Sequence, residues 1–302
     1  MKTFLIASHG LSASFWLAYH LNQHPGMVCV HGSDRAVARD RDGLDLERLL
    51  ETGGSALLYR KLQELRAGAE SRQAGFERRE YDQWMGGISP GAGVVGSVHT
   101  FRMRDLCGVE PSSLSGIAIG NLVRHPVSLV HSGHGLLSRS FLYDLNELRW
   151  TTDKVFQDDI SFVESLAVEY DLKPGEIDTL GFFGACVMMR GLRLDVEACE
   201  SMAAHPDYLG EFRMEMLTSD REAFAGLMSR ISGGTLLCDG DYLDRVFESN
   251  RLNTHTNQQS TFTPARIWNR WTPWQQRAFR HYFEKYNIRS FYERIGYDFS
   301  FL

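Results

Sequence analysis

The chain has 302 residues, is 43% hydrophobic, and carries charges of both signs with a formal net charge of −6. That is enough apolar material to bury a full core, as one large domain or two modest ones. The acidic balance excludes a general attraction to nucleic acid or to acidic membranes, so any anion bound here is held by a local cluster of donors.

The opening "KTFLIAS" is a short apolar run ending in small residues, and "FWLAYHLNQHP" has helical spacing at Phe15, Leu17, Ala18 and Leu21 before Pro25 stops it. This reads as strand, loop, helix. Lys2 ahead of "TFLIA" resembles the start of a secretory signal, but Ser8, His9 and Gly10 interrupt the apolar run early, so a cytoplasmic protein is expected. "MVCVHG" reads as a second buried strand, Leu44 to Arg79 as a charged, helix-prone stretch, and "GGISPGAGVVGS", Gly86 to Ser97, as a glycine-rich loop.

From Gly116, "GIAIGNLV" has the length and apolar content of a buried strand, and Pro126 suits the first turn of a following helix. "LGFFGACVMM", Leu180 to Met189, reads as a buried core segment or as one wall of an apolar pocket. "FRMEMLTSDREAFAGLMSRISG", Phe212 to Gly233, gives another short strand and a helix capped by Ser219 or Asp220 and ended by Gly233. The polar stretch Glu248 to Pro264 reads as a long loop before a C-terminal helical segment.

Strands separated by helices predict an α/β fold with a mainly parallel central sheet flanked by helices. With no tandem repeat and no low-complexity linker, one domain over 1–302 is the economical reading. The five cysteines, Cys29, Cys107, Cys186, Cys199 and Cys238, are scattered and form no CxxC; they read as reduced thiols, neither a disulfide framework nor a zinc site. No stretch approaches the roughly eighteen uninterrupted apolar residues of a membrane span.

Open α/β sheets bind ligands beyond the carboxyl ends of their strands, where helix N-termini point N–H groups at negative charge. "HGLSASFW", His9 to Trp16, is such a turn of small residues, and Ser12 and Ser14 add hydroxyl donors or simply cap the helix. It is not a Walker A loop, which needs a second glycine and a lysine. At the second corner Arg124 leaves a strand and Ser132 lies about two turns into the next helix, so a guanidinium fork and a hydroxyl offer a second phosphate grip. Two such grips suit a nucleotide with two separate phosphate groups.

At these residues the sequence resembles the sulfotransferases that use 3′-phosphoadenosine-5′-phosphosulfate (PAPS). "GLSASFWLAYHLNQHP" is similar to their 5′-phosphosulfate loop, P-[KR]-S-G-T-T-x-L continuing to N-x-H-P, with Ser12, Ser14, Leu17, Asn22, His24 and Pro25 matching. "VRHPVSLVHS" is similar to the 3′-phosphate motif R-D-P-R-D-x-x-x-S, with Arg124, Pro126 and Ser132 at matching places. "FRMEML" resembles the strand carrying the family's Tyr-Glu-Asp, and "RIWNRWTPWQQRAF" with "IGY" its tryptophan-containing C-terminal region. Residues 30–95 and 140–205 carry no family motif. Leu11 stands where the loop usually has lysine or arginine, Ala13 where it has glycine and Phe15 where it has threonine. His125, Val127 and Ser128 replace the usual acidic and basic residues of the second motif.

The resemblance implies a sulfotransferase/P-loop-like three-layer architecture and transfer of a sulfuryl group from PAPS to a hydroxyl or amine, with 3′-phosphoadenosine 5′-phosphate (PAP) as product and no metal. The acceptor is expected to be a small molecule or glycan. The nucleotide is expected at Gly10, Leu11, Ser12, Ala13, Ser14, Phe15, Trp16, Arg124, Ser132 and Arg266. Trp16 stands where some members place a ring near adenine, although a tryptophan on an amphipathic helix also suits the core. Arg266 lies in a loop region that donates to the 3′-phosphate in the family, or is a solvated arginine.

"SVHTFR" places His99 twenty-five residues before Arg124, near the catalytic histidine of the histidine-using members. A histidine titrates close to neutrality and suits that role; the alternative is a structural histidine at a strand edge. Ser97 stands where that motif has lysine, so His9, Arg102 or Arg104 are the candidates to supply positive charge. Glu215, on an expected strand end, is an alternative base. Leu11 and Ser97 also motivate a second expectation, a PAPS- or PAP-binding protein of the same fold with weak or lost transfer. A kinase-like phosphotransferase is disfavoured by the missing Walker lysine and by the lack of a clear magnesium-binding carboxylate.

Overall fold

The computed structural model describes residues 2–31, 93–99, 101–106, 109, 114–248 and 263–302. The stretch Leu44 to Arg79, the first half of the glycine-rich segment, Cys107 and nearly all of the loop from Glu248 to Pro264 lie outside the described residues.

Strands β1 (Lys2–Ser8), β2 (Met27–His31), β3 (Val94–Val98), β4 (Ile117–Val123) and β5 (Tyr208–Arg213) form one sheet in the order β2-β3-β1-β4-β5. Every neighbouring pair is parallel, as the alternation of strand and helix predicts. Parallel strands are covered on both faces and so read as unbroken apolar runs. Accordingly, every residue of β1 after Lys2 and every residue of β3 is buried. The described helices are α1 (Ser14–Asn22), α2 (Pro126–Ser140), α3 (Leu145–Tyr170), α4 (Ile177–Val187), α5 (Met189–Met202), α6 (Met214–Leu217), α7 (Arg221–Ser232), α8 (Gly240–Glu248), α9 (Pro264–Trp268), α10 (Pro273–Lys285) and α11 (Arg289–Arg294).

Two sequence readings need correction. Gly86 to Ser97 reads as a loop, yet Val94 to Ser97 belong to β3, in register with β1 on one side and β2 on the other. Gly96 explains the misreading: a Cβ there would lie 2.2 Å from the Phe4 backbone oxygen and 2.5 Å from the Phe4 ring. The glycine is a notch that lets a neighbouring ring lie across the strand, not a turn signal. Glu215, expected on a strand end, lies in the helical turn α6, because β5 starts earlier and ends at Arg213.

The sequence reads as one domain, and the structure divides into two compact units, Met1–Val123 with Glu197–Ser260 and Arg124–Val196 with Thr261–Leu302. Each is assembled from two separate stretches of chain, so no single linker marks the division.

The first unit holds the sheet. Trp16 of α1 packs edge-on against Phe224 of α7 with ring centroids 5.8 Å apart, and Arg230 of α7 lies over the Phe212 ring of β5 at 5.0 Å. These two helices therefore cover the face to which Phe212 points. Gly120 faces Phe212 as well, so Asn121, next along β4, points to the opposite face. There it donates to Cys199 Sγ at 3.2 Å. The caps of α7 are as its sequence predicts: Asp220 accepts from the N–H groups of Glu222 at 2.8 Å and Ala223 at 3.3 Å, and Gly233 closes the helix with φ 61°.

In the second unit Pro126 occupies the first turn of α2. Thr179 to Val187 of α4 are all buried, and the Phe182 ring meets Trp271 and Trp274 edge-on at 5.2 Å each. The apolar stretch from Leu180 is thus core. Among the described residues no helix is long and apolar enough to cross a membrane.

Candidate anion site

In a parallel sheet, ligands bind outside the carboxyl ends of the strands, where the chain departs in opposite directions. That point lies at β1 and β4. The chain leaves β1 for β2 toward one edge, β5 follows β4 at the other, and Ser8 at the end of β1 pairs in register with Leu122.

The loop between Ser8 and Ser14 passes through three left-handed residues, Gly10 (φ 99°), Leu11 (φ 56°) and Ala13 (φ 52°). For Leu11 and Ala13 that conformation costs about 1–2 kcal/mol each, and such strain persists only where the surroundings enforce it. Left-handed residues in such a turn can present successive N–H groups to one anion. The N–H groups of Ser12, Ala13, Ser14 and Trp16 meet no acceptor among the described residues. Gly10 N–H donates to Ser8 Oγ at 3.2 Å and Ser12 Oγ donates to Gly10 O at 2.9 Å, which hold the turn.

Two histidines from the ends of other strands approach this loop in the first unit, and a third, His9, lies within it. His99, just past β3, is itself left-handed with φ 65°, and its Nδ1–H donates to the Ser8 carbonyl at 3.0 Å. That bond sets the tautomer and leaves the lone pair on Nε2, as a general base requires. Gly10 makes room for it: a Cβ there would lie 3.3 Å from His99 Cε1. His31, the last residue of β2 and 3% exposed, holds Ser14 Oγ through Nε2 at 2.9 Å. Its ring lies 5.4 Å from that of His99 and meets Phe15 edge-on at 5.3 Å. His9 Nδ1 accepts from Arg104 Nη2 at 3.4 Å.

Arg104, presented by the 3-10 turn Met103–Leu106, therefore brings positive charge to a loop that has Leu11 where a cation is usual in the resembled family. Arg102 is exposed and its N–H caps that turn by donating to Asp105 Oδ2 at 2.8 Å. Ser97 is buried inside β3.

Other matching residues do structural work. Trp16 is 3% exposed and packed by His20, Phe224 and Phe247, so its ring belongs to the core and has no open face for a base. Asn22 Oδ1 accepts from Cys29 N–H at 3.2 Å, and His24 Nδ1 accepts from Gly26 N–H at 3.1 Å. The N-x-H-P stretch is thus the joint between α1 and β2. Among the described residues Cys29, Cys186, Cys199 and Cys238 form no disulfide. Burial pushes the Cys29 and Cys186 thiols up, away from the reactive thiolate.

The second unit brings the other two predicted residues together. Arg124 Nη1 donates to Ser132 Oγ at 2.8 Å across the first two turns of α2. His125 caps the start of α2: its Nδ1 accepts from Val127 N–H at 3.2 Å and its Nε2–H donates to Asp298 O at 3.2 Å. Rings of Tyr297, Phe299 and Phe301 enclose it. Val127 and Ser128 are buried. Burial, and then the positive charges of His134, Arg124 and Arg270, hold His131 below its ordinary value. Arg266 is exposed, its N–H donating to the cap Thr263 at 3.3 Å.

The sequence reading missed His31. It stands at the carboxyl end of a parallel strand, the position from which side chains reach a ligand, and that rule would have singled it out. Among the described residues no group of three or more histidines, cysteines or carboxylates is placed to hold a metal ion. Compared with known proteins, the chain matches no family model and no curated sequence.

Proposed function

We propose that this protein is a cytoplasmic PAPS-dependent sulfotransferase acting on a hydroxyl or amine of a small molecule or glycan. The observation that carries the reading is the contact of Arg124 with Ser132 at 2.8 Å, a guanidinium and a hydroxyl already arranged at a helix start. This donor set fits a phosphate dianion, which takes a planar fork and a hydroxyl together. The left-handed loop from Gly10 to Ala13 fits the 5′-phosphosulfate, with N–H groups and Arg104 as its donors.

Sulfuryl transfer is a near in-line displacement in which the protein positions the groups and stabilises charge on the equatorial and leaving oxygens. The acceptor oxygen or nitrogen forms the new bond to sulfur as the bond from sulfur to the phosphate oxygen breaks. His99 Nε2 takes the acceptor's proton, and the loop N–H groups with Arg104 hold the leaving phosphate oxygen.

The test is a calorimetric titration with PAP, followed by transfer of labelled sulfate from PAPS into an acceptor library. Micromolar PAP binding that Arg124→Ala weakens about a hundredfold supports the reading, and preference for ATP with magnesium overturns it. Leu11 and Ser97 favour a second reading, a PAPS- or PAP-binding protein of the same fold with weak or lost transfer. Tight PAP binding without transfer to any acceptor selects that one.

A further inference from the structure

We propose that His31 is a positioning residue that turns the Ser14 hydroxyl toward the bound phosphosulfate, an inference resting on the nucleotide reading above. Ser14 Oγ and His31 Nε2 lie 2.9 Å apart, with the two residues 7% and 3% exposed. A serine hydroxyl has one hydrogen. If Ser14 gives it to the imidazole, only oxygen lone pairs remain to face an incoming anion, and they repel it. If His31 Nε2–H donates instead, Ser14 keeps its hydrogen for the ligand.

An anion at the loop therefore selects the second arrangement. His31 then converts Ser14 from a proton acceptor's partner into one more donor beside the N–H groups of Ser12 and Ala13. The His99 ring at 5.4 Å and the Phe15 ring at 5.3 Å brace the imidazole, so Nε2 stays aimed at Oγ. Neither His31 nor this bond is legible from the loop's own sequence, because the imidazole arrives from β2.

The test compares PAP affinity in the wild-type protein, His31→Leu, His31→Gln, Ser14→Ala and the double variant Ser14→Ala with His31→Leu. One charge-assisted hydrogen bond sets the scale, so His31→Leu and Ser14→Ala each weaken PAP by about tenfold. The double variant is no weaker than Ser14→Ala alone, since His31 acts on the ligand only by orienting the Ser14 hydroxyl. His31→Gln carries an amide donor near the Nε2 position and stays within about threefold of wild type. In the wild-type complex with PAP, imidazole nitrogen NMR finds a protonated Nε2 on His31.

Full affinity in His31→Leu, additive losses in the double variant, or an unprotonated Nε2 in the complex each overturn the proposal while leaving the nucleotide reading intact. Failure of the wild type to bind PAP overturns both. Should His31→Leu not fold, His31→Gln and the nitrogen spectrum decide.

Discussion

Replacing Arg124 by alanine tests the second-unit grip most directly. The guanidinium donates through Nη1 to Ser132, and a phosphate in its fork would receive two charge-assisted bonds, each worth about 1.5–3 kcal/mol. Allowing for water that fills the gap, the net loss is about 3 kcal/mol, or roughly a hundredfold in Kd. Ser132→Ala keeps the charge and loses one neutral hydrogen bond, about 1 kcal/mol, so it weakens binding about fivefold. The assay is calorimetry with PAP and with AMP, which lacks the 3′-phosphate. Wild type prefers PAP by at least that roughly hundredfold, and Arg124→Ala keeps only the roughly fivefold preference that Ser132 supplies. Melting adds an independent check: PAP at 100 times the wild-type Kd stabilises wild type by about 2.7 kcal/mol, but Arg124→Ala by only about 0.4 kcal/mol. An Arg124→Ala protein that still prefers PAP by the full margin refutes the assignment.

His99→Asn keeps a donor for the Ser8 carbonyl and suits the left-handed φ of 65°, while losing the Nε2 base. PAP affinity is expected to stay unchanged as transfer falls by about 10²- to 10⁴-fold; a rate near wild type removes His99 from the chemistry. Gly96→Ala drives a Cβ to 2.2 Å from the Phe4 oxygen and is expected to destabilise the first unit by about 2–3 kcal/mol, read as a lowered melting temperature; an unchanged one would argue against β3 in this register. His131 is held below its ordinary 6.5 by burial and then by His134, Arg124 and Arg270, so the unfolded chain binds more protons there. His131 therefore costs stability as pH falls through about 6.5. A phosphate on Arg124 offsets the positive charges, and the NMR titration of His131 shifts upward when PAP is added; no shift counts against a phosphate at this position.

Some of the structure was local and so could be read directly. β1 and β4 are apolar runs of strand length, Pro126, Asp220 and Gly233 mark helix ends by their own backbone chemistry, and Arg124 and Ser132 meet because eight residues across a strand-to-helix corner bring them to one side of α2. Each of these depends on residues within two or three turns of one another. The histidine arrangement was not readable in that way. His31, His99 and Arg104 reach the loop after β1 because β3 enters the sheet between β1 and β2.

The amino-acid sequence alone determined the α/β class, the two donor-rich corners, the start of α2 and both ends of α7, because hydrophobic period and cap residues record each element's own surroundings. Tertiary structure decided that Val94–Val98, at the end of the glycine-rich stretch, is a strand, that Trp16 is core, and which histidine nitrogen holds which oxygen. Strand order is set by which crossovers close over the sheet and by notches such as Gly96, and neither leaves a period in the chain.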